Sequence, residues 1–422
     1  MPSSSRLKYK DKYRMKYSIS RPQQLNVTIK LPASKSISNR VLIINELSYS
    51  PYTVENLSDS DDAQVMLNAL HSNDSTFDVR AAGTAMRFLT AFLSKIVGEW
   101  QLTGTERMKQ RPIKILVDAL NTLGAKIEYL EKEGFPPIKI YGSALHGGKI
   151  KLDGSISSQY ISALLMVAPT MENGLTVELT GNVISKPYIH LTLKLMQEFG
   201  IRSEWVGNVI HIPSQEYRPK LFKVESDWSA ASYWYQIAAL SDNVSIELLG
   251  LYPKSYQGDA KVAHLFERLG IKTIFSSAGV KLLKTAKLCK KFEYDFIDQP
   301  DLAQTFVVTC AMMNIPFRCS GLQSLRIKET DRIEALKIEL RKLGYVLQDE
   351  DGSVLTWEGE RCEAEATPII STYEDHRMAM SFAPIALKRT NIAIADPEVV
   401  SKSYPAYWDD LKLAGFTIHS LD

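Results

Sequence analysis

Apolar residues recur along this chain in one repeated arrangement: a run spaced by three and four, then a glycine, then a short alternating run. In RPIKILVDALNTLGAKIEYL, Ile113, Leu116, Leu120 and Leu123 share one helical face. Gly124 follows where a helix commonly stops in the left-handed conformation. The arrangement returns before Gly200, Gly270, Gly344 and Gly415. One period before Gly124 falls near residue 52, where the nearest candidate is the helix in DDAQVMLNALHSNDSTFDV, ending near Asn73. A leucine-glycine helix ending is common in itself. The even spacing, roughly seventy residues each time, instead favours six repeated units that fill the chain. Such a period is too long for a solenoid. Each unit therefore reads as a small α/β module of strand, helix, strand, helix–Gly and strand. Six modules grouped in threes predict an α/β fold of two similar domains.

Composition narrows the class. At 422 residues the chain is too long for one ordinary core. Apolar content of 45% and charged content of 23% are those of a soluble globular protein. A net charge of +2 gives no reason to expect a nucleic-acid or membrane partner. The four cysteines, Cys289, Cys310, Cys319 and Cys362, form no C-x-x-C pair, and a reducing cytoplasmic setting fits them. No apolar run is long enough for a membrane span. Residues 1–20 are basic and serine-rich, and read as a disordered extension.

Polar knots interrupt the apolar pattern at six places. LPASKSISNR (31–40) stands between the alternating Val27, Ile29, Leu31 and the apolar run 41–44. An ordinary cap with solvated cations would explain it alone. An anion site would explain it too, because hydroxyls, backbone N–H groups and a helix N-terminus favour negative charge. The others are AAGTAMRF (81–88), RMKQRP (107–112), SISSQY (155–160), RIKETDRIEAL (326–336) and YEDHRMAM (373–380). Asp331 and Glu334 have the spacing of a helix cap, which leaves Lys328 and Glu329 in the loop before it. Singly, each knot is explained by a solvated helix cap. Together, all six fall at the starts of predicted helices, whose positive ends attract anions. Lys35, Arg40, Arg111, Lys328, Arg332 and Arg377 would then surround a strongly anionic ligand. Asp301 and Glu329 are the odd carboxylates, suited to proton transfer. GSALHGGKI resembles a phosphate-binding loop only loosely, since Ile150 stands where Ser or Thr is needed. His376 reads as a structural hydrogen bonder rather than a metal ligand.

PASKSISNR, GTAMRFLTA, RMKQRPIKILVDAL, SSQYISALLM, ISKPYIHLTL, ESDWSAASY, RIKETDRI and TYEDHRMAM, in this order, resemble the 5-enolpyruvylshikimate-3-phosphate synthase family (3-phosphoshikimate 1-carboxyvinyltransferases). The resemblance implies an inside-out α/β barrel of two domains, each of three repeated units. It implies one domain over 33–224 and a second over 21–32 plus 225–422, with the active site in the cleft between them. The implied reaction moves the enolpyruvyl group of phosphoenolpyruvate to the 5-hydroxyl of shikimate 3-phosphate and releases phosphate. It proceeds by addition and elimination, with no metal or cofactor.

By motif, Lys35, Ser36, Arg40, Ser157, Ser158, Gln159, Ser185, Asp301 and Lys328 are implied to bind shikimate 3-phosphate. Lys35, Gly83, Arg111, Gln159, Arg332, Arg377 and Lys402 are implied around phosphoenolpyruvate, in the pocket that glyphosate occupies in the family, where Gly83, without a Cβ, leaves room for a ligand to approach the backbone. Lys35, Asp301 and Glu329 are the implied catalytic groups. Three positions depart from the usual pattern: Ala81 and Ser324 where many members have Asn, and Phe88 where many have Pro. The rival family acting on UDP-N-acetylglucosamine carries a reactive Cys in its N-terminal half, and no Cys precedes residue 289 here. A non-catalytic anion-binding protein would gain from losing Asp301 and Glu329. The expected state is a cytoplasmic monomer acting on small molecules.

Overall fold

The computed structural model describes residues 15–155 and 157–421. These form two compact units. The first takes the chain up to Pro32, then Asp227–Pro253 and Asp259–Asp422. The second takes Ala33–Ser226 together with Lys254–Gly258. The passage from one unit to the other thus falls two residues later than the expected 224/225, and a five-residue strap returns to the second unit.

The first unit holds three four-stranded sheets of one plan, a parallel pair extended by two antiparallel strands. In one, Asn26–Lys30 pairs parallel with Ser245–Leu249, which is followed by Gly279–Leu288 and Leu269–Phe275. In the next, Phe292–Asp295 pairs parallel with Phe317–Ser320, followed by Val354–Trp357 and Gln348–Glu350. In the third, Ile369–Ile370 pairs parallel with Ile392–Ala395, followed by Lys16–Ser20 and Thr417–Leu421. The second unit repeats the plan twice, over Thr76–Tyr141 and Gly148–Ile212. Its remaining repeat keeps its helices, but among the described residues Glu55 and Lys223 pair there only as an isolated parallel bridge.

Each unit has its own apolar core. Strands show one buried face by alternation, as in Asn26–Lys30, where Val27 and Ile29 point inward. The helices at the centre of each core are apolar all round rather than striped. Every residue of Ala303–Met312 and His376–Phe382 is buried, as is nearly every residue of Trp228–Leu240 and Ser158–Val167. Inside these helices the buried polar residues, such as Gln236, Gln304 and Thr309, are uncharged, and charge appears only at the ends. That constraint places the polar knots at the N-termini, where side chains satisfy the open backbone N–H groups.

Two expectations change. The basic extension predicted over 1–20 is shorter: Lys16–Ser20 is an inner strand of a sheet, with Ile19 1% exposed. Its partners lie some four hundred residues away, so no local signal announces it. The part of that extension before residue 15 lies outside the described residues. At Gly270 the predicted helix stop is a strand irregularity instead. The helix Val262–Glu267 ends first, and Gly270, at φ +81°, sits where the register shifts between Leu269 and Ile271. Gly124, Gly200, Gly344 and Gly415 do follow helices, with φ between +87° and +103°.

Candidate active site

In the first unit, three helix starts bring charged side chains into direct contact. Asp375 caps His376–Phe382 by accepting from the Arg377 N–H at 2.9 Å. It is preceded by Tyr373 and Glu374, both in the left-handed region at φ +55° and +58°, a costly turn of the kind that folded structure imposes where a side chain must be aimed. Arg332, the first residue of Arg332–Lys342, is 1% exposed. Its Nε donates to Asp375 Oδ2 at 2.7 Å. Its terminal nitrogens donate to Asp301 Oδ1 at 3.2 Å and to Glu329 Oε2 at 3.0 Å. Arg377 pairs with the other Asp301 oxygen at 2.9 Å and also donates to the Asp301 carbonyl and the Tyr233 hydroxyl. Lys402 Nζ stands 3.7 Å from Glu329 Oε1. Asp301, Glu329, Arg332, Arg377 and Lys402, nominated separately by sequence, are therefore one ionic cluster. Asp375 and Tyr233 belong to it as well. Both lie inside motifs that carry the resemblance, Asp375 in TYEDHRMAM and Tyr233 at the end of ESDWSAASY, but neither was assigned a role there.

The electrostatics give each group a state. Burial raises the Asp301 pKa, but Arg377, then Lys328 and Arg332, outweigh it, and the carboxyl is held well below the usual carboxylate range. Burial lowers the Arg332 pKa, while Asp375, Glu329 and Asp301 outweigh it and keep the guanidinium charged. Burial pushes the Tyr233 hydroxyl up to about 12. Asp259 behaves oppositely to Asp301. Burial, then the Asp301 charge, pushes it up to about 7, although the Ser229 hydroxyl donates to it. Its proton is held more tightly folded than unfolded, so it lowers stability as pH rises from about 4 to about 7. Asp259→Asn is expected to flatten that decline. Chemical denaturation at pH 4, 5.5 and 7 measures it, and equal pH slopes for the two proteins would contradict it.

In the second unit, Ser34 caps Lys35–Leu47, and its side chain accepts from the Ile37 N–H at 3.4 Å. Lys35 Nζ lies 3.3 Å from Asp62 Oδ2, a nearly buried carboxylate that sequence reading had not singled out. One turn on, Arg40 is 3% exposed. It donates to Thr192 Oγ1 at 2.7 Å, the Ser36 carbonyl at 2.8 Å, Ser162 Oγ at 3.3 Å and the Tyr188 carbonyl at 3.5 Å. Burial lowers its pKa to about 10. Gly83 opens the helix Gly83–Lys95, and Gln159 donates to Thr84 Oγ1 at 3.2 Å. Ser157 caps Ser158–Val167 by accepting from the Gln159 N–H. Ser185 precedes Lys186–Glu198 in the left-handed region at φ +55° and is 6% exposed. Arg87, though in the motif, is structural: it donates to the Gly83 and Pro112 carbonyls.

Gly83 was expected to leave room for a ligand. The room is taken by Arg111. A Cβ at residue 83 would lie 2.6 and 2.7 Å from the two terminal nitrogens of that guanidinium. The glycine thus lets Arg111 lie flat against the helix start. Of the departures, Ala81 is exposed, Ser324 lies in the short helix Gln323–Ile327, and Phe88 is fully buried beneath Arg40. Among the described residues, no group of three or more His, Cys, Asp or Glu could hold a metal ion, and no helix is long and apolar enough to cross a membrane.

The comparisons with known proteins agree on one family. The family model described as EPSP synthase (3-phosphoshikimate 1-carboxyvinyltransferase) matches residues 19–74 and 71–411. A 3-phosphoshikimate 1-carboxyvinyltransferase of Bacteroides fragilis is 58% identical over 405 residues, covering 96% of this chain and 99% of the relative. One of Vibrio atlanticus is 38% identical over 421 residues, covering 93% and 97%. A solved EPSP synthase from Acinetobacter baumannii superposes with a TM-score of 0.78 at 20% identity, covering 97% of this chain and all of that one, which shows the shared fold. With a family model spanning nearly its whole length and a relative at 58% identity, this chain belongs to the EPSP synthase family.

Proposed function

We propose that the protein transfers the enolpyruvyl group of phosphoenolpyruvate to the 5-hydroxyl of shikimate 3-phosphate, with the residues above in the following roles. The observation that carries the residue roles is the contact cluster of Asp301, Glu329, Arg332, Arg377 and Lys402. Phosphoenolpyruvate brings a carboxylate and a phosphate, for which Arg332, Arg377 and Lys402 of the first unit and Arg111 of the second supply cations. Asp301, ionised and anchored by two arginines, orients the 5-hydroxyl and accepts its proton as the C–O bond forms. Its depressed pKa makes it a weak base, so its orienting role is the larger part. Glu329 passes a proton to the methylene carbon. Elimination from the tetrahedral adduct returns that proton to Glu329 and expels phosphate, which departs with the proton Asp301 took from the hydroxyl, Lys35 stabilising the leaving charge. Shikimate 3-phosphate is held by Lys35, Ser36, Arg40, Ser157, Ser158, Gln159, Ser185 and Lys328. As proposed, the enzyme works as a cytoplasmic monomer without metal or cofactor.

Phosphate release from phosphoenolpyruvate tests the reading. Release that requires shikimate 3-phosphate supports it. Release only with UDP-N-acetylglucosamine, or with neither acceptor, overturns it.

Gly83→Ala offers a test of the Arg111 assignment. The added methyl must push the guanidinium aside, which a flexible side chain can accommodate without unfolding. The KM for phosphoenolpyruvate should rise severalfold. The glyphosate inhibition constant should rise further, because the longer inhibitor is crowded more. An unchanged or falling ratio of the two would remove this account.

A further inference from the structure

We propose that Phe88 is a positioning residue for shikimate 3-phosphate: its ring face holds the Arg40 guanidinium in the orientation that receives the substrate. The inference rests on the assignment of Arg40 to that substrate.

Arg40 is a buried cation whose hydrogen-bond partners, among the described residues, are all neutral oxygens: two hydroxyls and two carbonyls. Taking a guanidinium out of water is costly unless its charge is answered. Neutral dipoles answer part of that cost. The Phe88 ring answers another part, with its centroid 5.3 Å from the guanidinium carbon, within the range where a ring face attracts a cation. Phe88 itself is 0% exposed, so the contact is dry and little screened.

The geometry also makes orientation matter. Four of the five guanidinium N–H groups are engaged, which leaves one, on the nitrogen that donates to the Ser36 carbonyl. An incoming anion therefore meets one directed donor and the net charge, rather than a fork that could be approached from several angles. Two of the engaged contacts are long, at 3.3 and 3.5 Å. The Thr192 contact at 2.7 Å, on Nε, and the Ser36 contact at 2.8 Å, on one terminal nitrogen, are the tight ones. Thr192 is in turn fixed by the Ser162 hydroxyl and the Tyr188 carbonyl, both at 2.9 Å. The other terminal nitrogen is thus the loosely held corner of the guanidinium, and a flat ring face against the group limits the tilt of its plane. A proline at 88, common in the family pattern, has no such face.

The test keeps the size of the side chain while draining the ring of its negative face. Enzyme carrying phenylalanine, difluorophenylalanine or trifluorophenylalanine at 88 is compared, alongside Phe88→Leu. The KM for shikimate 3-phosphate should rise stepwise with fluorination, to about three- to tenfold, with kcat and the KM for phosphoenolpyruvate nearly constant. Phe88→Leu should match the most fluorinated form. A KM that ignores fluorination overturns the inference, as does a parallel change in both KM values with a falling melting temperature, which marks Phe88 as packing alone. Wild-type enzyme that fails to turn over shikimate 3-phosphate would instead overturn the substrate assignment itself.

Discussion

An Asp301→Ala enzyme is expected to turn over about a hundred- to ten-thousand-fold more slowly, with a KM for phosphoenolpyruvate unchanged or lower. The asymmetry follows from where the carboxylate sits. Asp301 contacts the arginines assigned to phosphoenolpyruvate, at 2.9 Å from Arg377 and 3.2 Å from Arg332. In the ground state its negative charge competes with the substrate for those cations. Removing it relieves that competition. In the transition state the same charge lies where the 5-hydroxyl loses its proton, so its loss is felt in kcat. Asp301→Asn separates shape from charge. It keeps the shape and one acceptor oxygen, so one of the two arginines retains its side-chain partner, and it should be nearly as slow as Ala if the charge is what acts. Steady-state kinetics in both substrates measure this. Near-normal turnover by the alanine enzyme would take Asp301 out of the mechanism.

Replacing Arg332 with methionine is expected to lower the unfolding free energy of the first unit by about 3–5 kcal/mol. Arg332 is an ion-pair partner of three carboxylates: Asp375, which is fully buried, Asp301 and Glu329. Methionine fills a similar volume and removes the charge, so these groups remain crowded and desolvated without that cation. Arg332→Lys should recover only part of the loss, because an ammonium cannot spread its donors over three partners as a planar guanidinium does. The loss should depend on pH. The folded Asp301 pKa lies below its unfolded value of about 4, so its stabilisation is full above that pH and vanishes as pH falls through the folded value. The gap between wild type and Arg332→Met should therefore shrink in acid. Urea denaturation at pH 7 and pH 3 checks both statements. A difference under about 1 kcal/mol at pH 7 would mean that the cluster is far better hydrated than its burial implies.

Much of this protein was written locally in its sequence. The helix–glycine–strand units, the apolar helices and the caps at Asp331 and Ser157 depend on residues within a few positions of one another, where periodicity and side-chain chemistry act directly. The polar knots were legible for the same reason: a helix buried on every side carries its charged residues at its ends. What sequence could not give was any contact made across the chain. Lys16–Ser20 looks like basic tail until Ile392–Ala395 and Thr417–Leu421 flank it. Asp62 meets Lys35 from a distant segment with no motif to mark it, and Tyr233, though it ends ESDWSAASY, meets Arg377 from 144 residues away. Gly83 read as space for a ligand until Arg111, from another loop, filled it. Phe88 read as a departure from a pattern until Arg40 lay over its ring. The ionisation states followed the same division, since Asp301 and Asp259 are the same residue type. Their opposite pKa shifts come from the arginines and the burial that only the folded chain assembles around each.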